Sequence, residues 1–258
     1  MTGNSAKSGL ILTARDERLL HLLVDLRIAD RDQIAKGCGF TSVTRVNARL
    51  LKLVQAGLLR RFFVGTRAGG MKGIYSLSAR SARQFAGAGT PLQRAAESIL
   101  SGDAFVSHQL AINEIHLALR FDLPAQARFT KWLRLRRPIS KTHLLIPDGY
   151  CELEVRAESV PVFLEVDLGT EKLSVLDGKF GTYLALALSG EFVRVFGRNR
   201  FRVLVVTESE RRLENLRVLA GKHTTKLFWF STLEAIKRSG PFAAIWKRPE
   251  GSQCVPLI

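Results

Sequence analysis

"LLIPDGYCELEVRAESVPVFLEVDLGTEK", residues 144–172, decides how the larger part of this chain folds. Its apolar runs predict strands at His143–Ile146, Tyr150–Arg156 and Val160–Val166. Carboxylates sit where these runs end. Asp148 follows Pro147 as the chain leaves the first run. Glu165 and Asp167 are two apart in the last run, so both point to one face. If the strands are neighbours, three carboxylates converge.

Downstream, a long helix is predicted from about Thr170 to Leu188. Lys172, Lys179 and Tyr183 form one stripe on it, beside a core face of Leu173, Leu176, Phe180 and Leu184. Then "FRVLVVT" reads as a strand, "ESERRLENLRVLAG" as a helix, "KLFWFST" as a strand and "LEAIKRS" as a short helix. Upstream, "FVSHQLAINEIHLALRF" reads as an amphipathic helix. This order gives a mixed sheet flanked by helices. Between the first helix and the strands lies "ARFTKWLRLRRPISK", where Arg134, Arg136 and Arg137 stand among other basic residues near Phe129 and Trp132. Basic residues interleaved with aromatics suit a phosphate backbone with nearby bases. A charge-protected edge strand would carry the same pattern.

Residues 1–78 read as a winged helix-turn-helix. Thr13-x-x-Asp16 resembles a capping box ahead of Leu19, Leu20, Leu23 and Leu26. Asp30 begins a short second helix. The third, "TSVTRVNARLLKLVQAGLL", has Val43, Val46, Leu50, Leu53 and Val54 on its apolar face and Arg45, Asn47, Arg49 and Lys52 elsewhere. Strand-like runs Leu58–Val64, with Arg60 and Arg61, and Ile74–Leu77 flank a tip containing Arg67 and Lys72. In this arrangement the third helix enters the major groove of double-stranded DNA and the wing touches the backbone. An Ala-, Gly- and Ser-rich linker is expected over 79–103, and the α/β domain over 104–258.

Charge supports a polyanionic partner. The net charge is +16, and residues 1–100 carry 16 Lys and Arg against 6 Asp and Glu. No apolar run is long enough to span a membrane. The leader "MTGNSAKSG" lacks the apolar region of a signal peptide. Cys38, Cys151 and Cys254 are scattered and odd in number, so neither a disulfide framework nor a zinc site is indicated, which points to a cytoplasmic, reducing location. His108 and His116 lie on one predicted helix, but no third ligand is spaced with them. Nucleotide-binding glycine motifs are absent.

Taken alone, each acid has an ordinary structural use. Pro-Asp-Gly is turn chemistry, Glu165 suits a strand-end ion pair, and Asp167 suits a helix cap. Together they favour a site for Mg²⁺ or Mn²⁺, with a helix lysine, Lys179 or Lys172, near a scissile phosphate.

At these residues the chain resembles the restriction-endonuclease-like PD-(D/E)XK nuclease core, through Pro147-Asp148 and Glu165. Glu114 falls where that fold often places an auxiliary carboxylate for the metal. More narrowly, the chain resembles the replication-relaxation family of plasmids and other mobile elements. The shared features are the N-terminal winged helix, His108, Leu110, Asn113 and Glu114, "IPDG", "LEVDLGTE", and Lys179 with Tyr183. That resemblance implies DNA binding in replication, relaxation or mobilisation, with replication or mobilisation proteins as partners. The nuclease pattern expects a lysine where Asp167 stands. Two readings therefore stay open: a metal-dependent nickase or endonuclease using Lys179 or Lys172, and a non-catalytic DNA-binding regulator that keeps a nuclease fold. A homodimer reading paired half-sites is compatible with either.

Overall fold

Thr13 begins the first helix, α1 (Ala14–Leu26), through a reciprocal capping box: its hydroxyl accepts from Asp16 N, and Asp16 Oδ2 accepts from Thr13 N at 2.6 Å. The apolar stripe that follows buries Leu19, Leu20, Leu23 and Leu26. A three-residue strand, β1 (Ile28–Asp30), comes next. Asp30 then caps α2 (Arg31–Cys38), which Gly39 ends in the left-handed conformation at φ 66°. Ser42 caps α3 (Val43–Gln55), which buries Val46, Leu50 and Leu53. Val43, expected in this core, is exposed in the first turn. The hairpin β2 (Leu59–Gly65) and β3 (Met71–Leu77) runs in register from Leu59 opposite Leu77 to Gly65 opposite Met71. β1 pairs antiparallel with the other side of β3, a third strand that its short length hid from pattern reading. A short helix, α4 (Ala79–Phe85), follows.

The computed structural model describes residues 10–66, 69–85 and 103–258. Arg67 and most of the expected linker lie outside the described residues. Two compact units divide at Leu110 and Ala111. The division falls inside α5 (Asp103–Phe121), whose first residues pack in the first unit. Val106 clusters with Ile28 and Ile74, Arg27 stacks over Phe105, and Gln33 Nε2 donates to the Leu110 carbonyl at 2.8 Å.

The second unit is a seven-stranded mixed sheet. Its strands are β4 (Ala127–Leu133), β5 (Gly149–Val155), β6 (Glu158–Asp167), β7 (Arg202–Thr207), β8 (Phe228–Thr232), β9 (Trp246–Lys247) and β10 (Cys254–Val255). Their order is β10-β9-β8-β7-β6-β5-β4, with β6, β7 and β8 mutually parallel and the other pairings antiparallel. Alternation along β6 builds two cores. Phe163, with Val203 and Val205, faces α6 (Leu173–Leu188), α7 (Glu191–Phe196) and α8 (Glu210–Gly221). Val162, Leu164 and Val166 face Ile112, Ile115 and Leu119 of α5, and Ile236 of α9 (Leu233–Ser239).

The fold is therefore the expected mixed α/β class with helix-flanked sheets. Two local expectations change. Residues 143–146 are not a strand, because His143 Nδ1, Ser140 and Thr142 turn that segment onto Glu191 of α7, with His143 at 2.6 Å. The place beside β5 belongs instead to β4, the basic and aromatic run, which forms one edge of the sheet. Leu173, expected in the core, is exposed. No helix among the described residues is long and apolar enough to cross a membrane.

Candidate active site and nucleic-acid interface

β5 begins at Gly149, opposite Leu164, so Asp148 stands beside Glu165 at the end of β6. The backbone fixes it there: Asp148 N donates to the Leu164 carbonyl at 3.1 Å, and Asp148 Oδ2 accepts from Val166 N at 2.8 Å. Gly149 is required by a neighbour rather than by a turn. A Cβ on it would lie 2.3 Å from the Trp132 indole of β4.

Glu165 is the centre of the arrangement, with only 3% of its surface exposed. Oε1 accepts from the Tyr183 hydroxyl at 2.6 Å, and Oε2 from Lys179 Nζ at 3.2 Å. Lys179 and Tyr183 are four apart on α6, so one helix face delivers both. Lys179 Nζ also reaches Glu171 at 3.0 Å. Burial, and then the charge of Asp148, push the Glu165 carboxyl up to about 7, although Lys179 and Tyr183 oppose the shift. Burial works against the Lys179 charge, yet Glu165, Glu171 and Asp148 hold it above the usual lysine range. Lys179 therefore stays a cation. Burial and Glu165 raise the Tyr183 phenol well above its ordinary value, so it stays a donor.

Asp167 has a different role. Its Oδ2 accepts from Arg212 Nε of α8 at 2.5 Å and its Oδ1 from Gly169 N at 3.0 Å, which closes the turn into α6. Lys172 stands exposed at the N-cap of α6. Glu114 lies half-buried on α5, the helix whose apolar residues cover the other face of the sheet. Among the described residues no group of three or more His, Cys, Asp or Glu is placed to hold a metal ion. The expected convergence of three acids is thus reduced to two, Asp148 and Glu165, with Lys179 rather than Lys172 beside them. Two carboxylates with water and phosphate completing the shell suit Mg²⁺. Burial and then the Asp148 charge raise the Glu165 carboxyl, and Lys179 is the cation that the structure places beside the two acids.

The histidines do not contribute a ligand pair. His116 is fully buried and stacks on Trp132 at 3.9 Å; burial, then Arg120, bring its imidazole down to about 3, leaving it neutral. A further buried acid escaped the sequence reading. Glu152 on β5 accepts from Tyr150 at 2.9 Å and from Arg198 Nε and Nη2 at 3.0 and 2.7 Å. Only the apolar alternation of its strand could have marked Glu152 as buried.

In the first unit, Arg45, Asn47 and Lys52 on α3 and Arg60 and Arg61 on β2 are exposed. Two other candidate DNA contacts have intramolecular partners. Arg49 makes a two-pronged pair with the buried carboxylate of Asp16, its Nε at 2.6 Å. Lys72 Nζ binds Asp30 Oδ2 at 2.6 Å. In the second unit Arg136 and Arg137 are exposed beyond β4, and Arg134 is half-buried.

Helices α1 to α4 with a three-stranded sheet, followed by a helix-flanked mixed sheet whose buried Glu165 is met by a helix lysine, define the class of the protein: a two-unit α/β chain with a basic N-terminal unit. The model of the replication-relaxation family matches residues 20–199, most of both units, and the chain belongs to that family. Membership points to a role in replication or relaxation of plasmids or other mobile elements, and to involvement with DNA. No curated protein and no solved structure gives a significant match.

Proposed function

We propose that this chain binds double-stranded DNA of a plasmid or other mobile element through a winged helix-turn-helix, and nicks or cuts it with a restriction-endonuclease-like site. The observation that carries the catalytic part is the convergence of Lys179 and Tyr183 on a buried Glu165 beside Asp148. Lys179, reaching in from α6, takes the place of the lysine that the nuclease motif has where Asp167 stands.

In this reading Asp148 and Glu165 would hold Mg²⁺ or Mn²⁺, which would supply Lewis-acid activation of the phosphodiester and its attacking water. The water oxygen bonds to phosphorus as one P–O bond to the sugar breaks, and the proton that the water gives up balances the one taken up by the departing oxygen. Lys179, held as a cation, stabilises the charge that develops on the phosphoryl oxygens. Tyr183 holds Glu165 in place; with none of its surface exposed, it is not positioned as a nucleophile. The cut is therefore a hydrolysis. Arg45, Asn47, Lys52, Arg60 and Arg61 bring the duplex to the protein.

A second reading follows from Asp167, which stands where the nuclease motif has its lysine and is engaged by Arg212. It makes the protein a non-catalytic DNA-binding regulator. Glu165→Ala separates the two. The nuclease reading predicts that the variant still binds duplex DNA but no longer nicks supercoiled plasmid in Mg²⁺ or Mn²⁺. Wild-type protein that binds and never cuts would leave only the regulator.

A further inference from the structure

Between α1 and α3 lies an open groove whose walls carry four arginines: Arg15 and Arg18 from α1, Arg45 and Arg49 from α3. Arg15 and Arg18 are three apart and Arg45 and Arg49 four apart, so each pair shares one helix face. Asp16 is the only carboxylate lining the groove among the described residues. It is 1% exposed and fully engaged by Arg49 and Thr13. This pairing ties α3 to α1 and sets the width of the groove. The other three arginines are exposed and make no ion pair among the described residues, and Arg15 stacks over Phe40, in the turn between α2 and α3, at 4.9 Å.

Like charges crowded in a concave surface, without acids to offset them, destabilise the free protein modestly and favour an anion. A groove with a guanidinium on each wall and an aromatic ring between matches a phosphodiester with its attached sugar, since guanidinium forks pair with phosphate oxygens. We propose that this groove seats a backbone phosphate of the DNA duplex, so that α1, and not only α3 and the hairpin, anchors the strand. The proposal rests on the DNA-binding reading above and adds its register: the seat lies beside the first turns of α3 and fixes how that helix meets the base edges. Arg15 and Arg18 position the duplex without reading its sequence. Arg49 acts through Asp16 as a positioning residue.

The test uses the full chain with a duplex from the native element and a scrambled duplex of equal composition, measured by fluorescence anisotropy over a salt series. It compares wild type, Arg15→Gln/Arg18→Gln, and Arg60→Gln/Arg61→Gln on β2. The groove variant is expected to bind both duplexes about tenfold more weakly, with the slope of log affinity against log salt reduced by about 1. Both replaced residues are exposed, and an unchanged thermal melt confirms folding. If the groove variant binds like wild type while the β2 variant weakens, the phosphate seat is overturned and DNA binding by the first unit stands. A loss confined to the native duplex would assign Arg15 and Arg18 to base reading, which also overturns the proposal. If wild type binds neither duplex at low salt, the DNA-binding reading itself fails.

Discussion

Replacing Glu165 by Gln should stabilise the fold at pH 8. The carboxyl is raised from an ordinary 4.5 to about 7 by burial and by Asp148. At 1.36 kcal/mol per unit, holding it ionised burdens the folded state by at most about 3 kcal/mol. Glutamine can still accept from Tyr183, but its amide group offers Lys179 less than a carboxylate does. A net gain of roughly 1–2 kcal/mol is therefore expected. The sign depends on pH. A raised folded value means that the native state binds the proton more tightly, so wild-type stability falls as pH rises from 4.5 through 7. The variant lacks this loss. Its advantage should be nearly absent at pH 4, grow through pH 6 and level off above pH 7. Urea denaturation of both proteins at these pH values measures it. Ten times the dissociation constant of Mg²⁺ should add about 1.4 kcal/mol to wild type at pH 8 and less to the variant. A variant less stable than wild type at pH 8, or a difference independent of pH, would refute the view of Glu165 as a carboxyl raised by burial and by Asp148.

Three further outcomes follow from the geometry. Gly149→Ala places a methyl against Trp132 and should cost about 1–3 kcal/mol, visible as a lower melting temperature. Arg49→Ala strands the buried Asp16 and should cost roughly 2–4 kcal/mol at pH 7 in a urea melt. Burial opposes the charge of Asp16, but Arg49 and Thr13 hold its carboxyl below the usual 3.8, so the pair's stabilisation is present above that value and lost as pH falls through the lower folded one. The gap between Arg49→Ala and wild type should narrow accordingly at pH 3. Tyr183→Phe removes one hydrogen bond to Glu165 and should cost about 1 kcal/mol while raising the Mg²⁺ concentration needed for half-maximal nicking, read by titrating the metal in the plasmid assay.

Much of this could be read from periodicity. The capping box at Thr13 and Asp16, the apolar stripe of α1, and the alternation of β5 and β6 each state one structure locally, and all three form. The placement of Glu165 with Lys179 and Tyr183 was legible because strand alternation and helical spacing each put their residues on one face. The partners of charged residues were not legible. Arg212 lies 45 positions from Asp167, and Asp16 lies 33 from Arg49. Nothing in local spacing distinguishes a DNA-facing arginine from one neutralised by a distant acid. The segment 143–146 misled for a related reason: its apolar residues look like a strand, but hydrogen bonds to Glu191, 48 positions beyond His143, decide its course. The short strands β1, β9 and β10 have too few residues to show any period, and tertiary pairing alone makes them.

The central claim is that Asp148, Glu165 and Lys179 form a hydrolytic site, and Lys179→Met tests it most directly. Supercoiled plasmid carrying the native element is incubated in Mg²⁺ or Mn²⁺ with wild type and with the variant, and duplex affinity is measured alongside. Nicked or linear product from wild type, its loss in Lys179→Met, and unchanged DNA affinity in both are expected. Equal cutting by the two proteins, or intact plasmid with each despite tight binding, would contradict that claim.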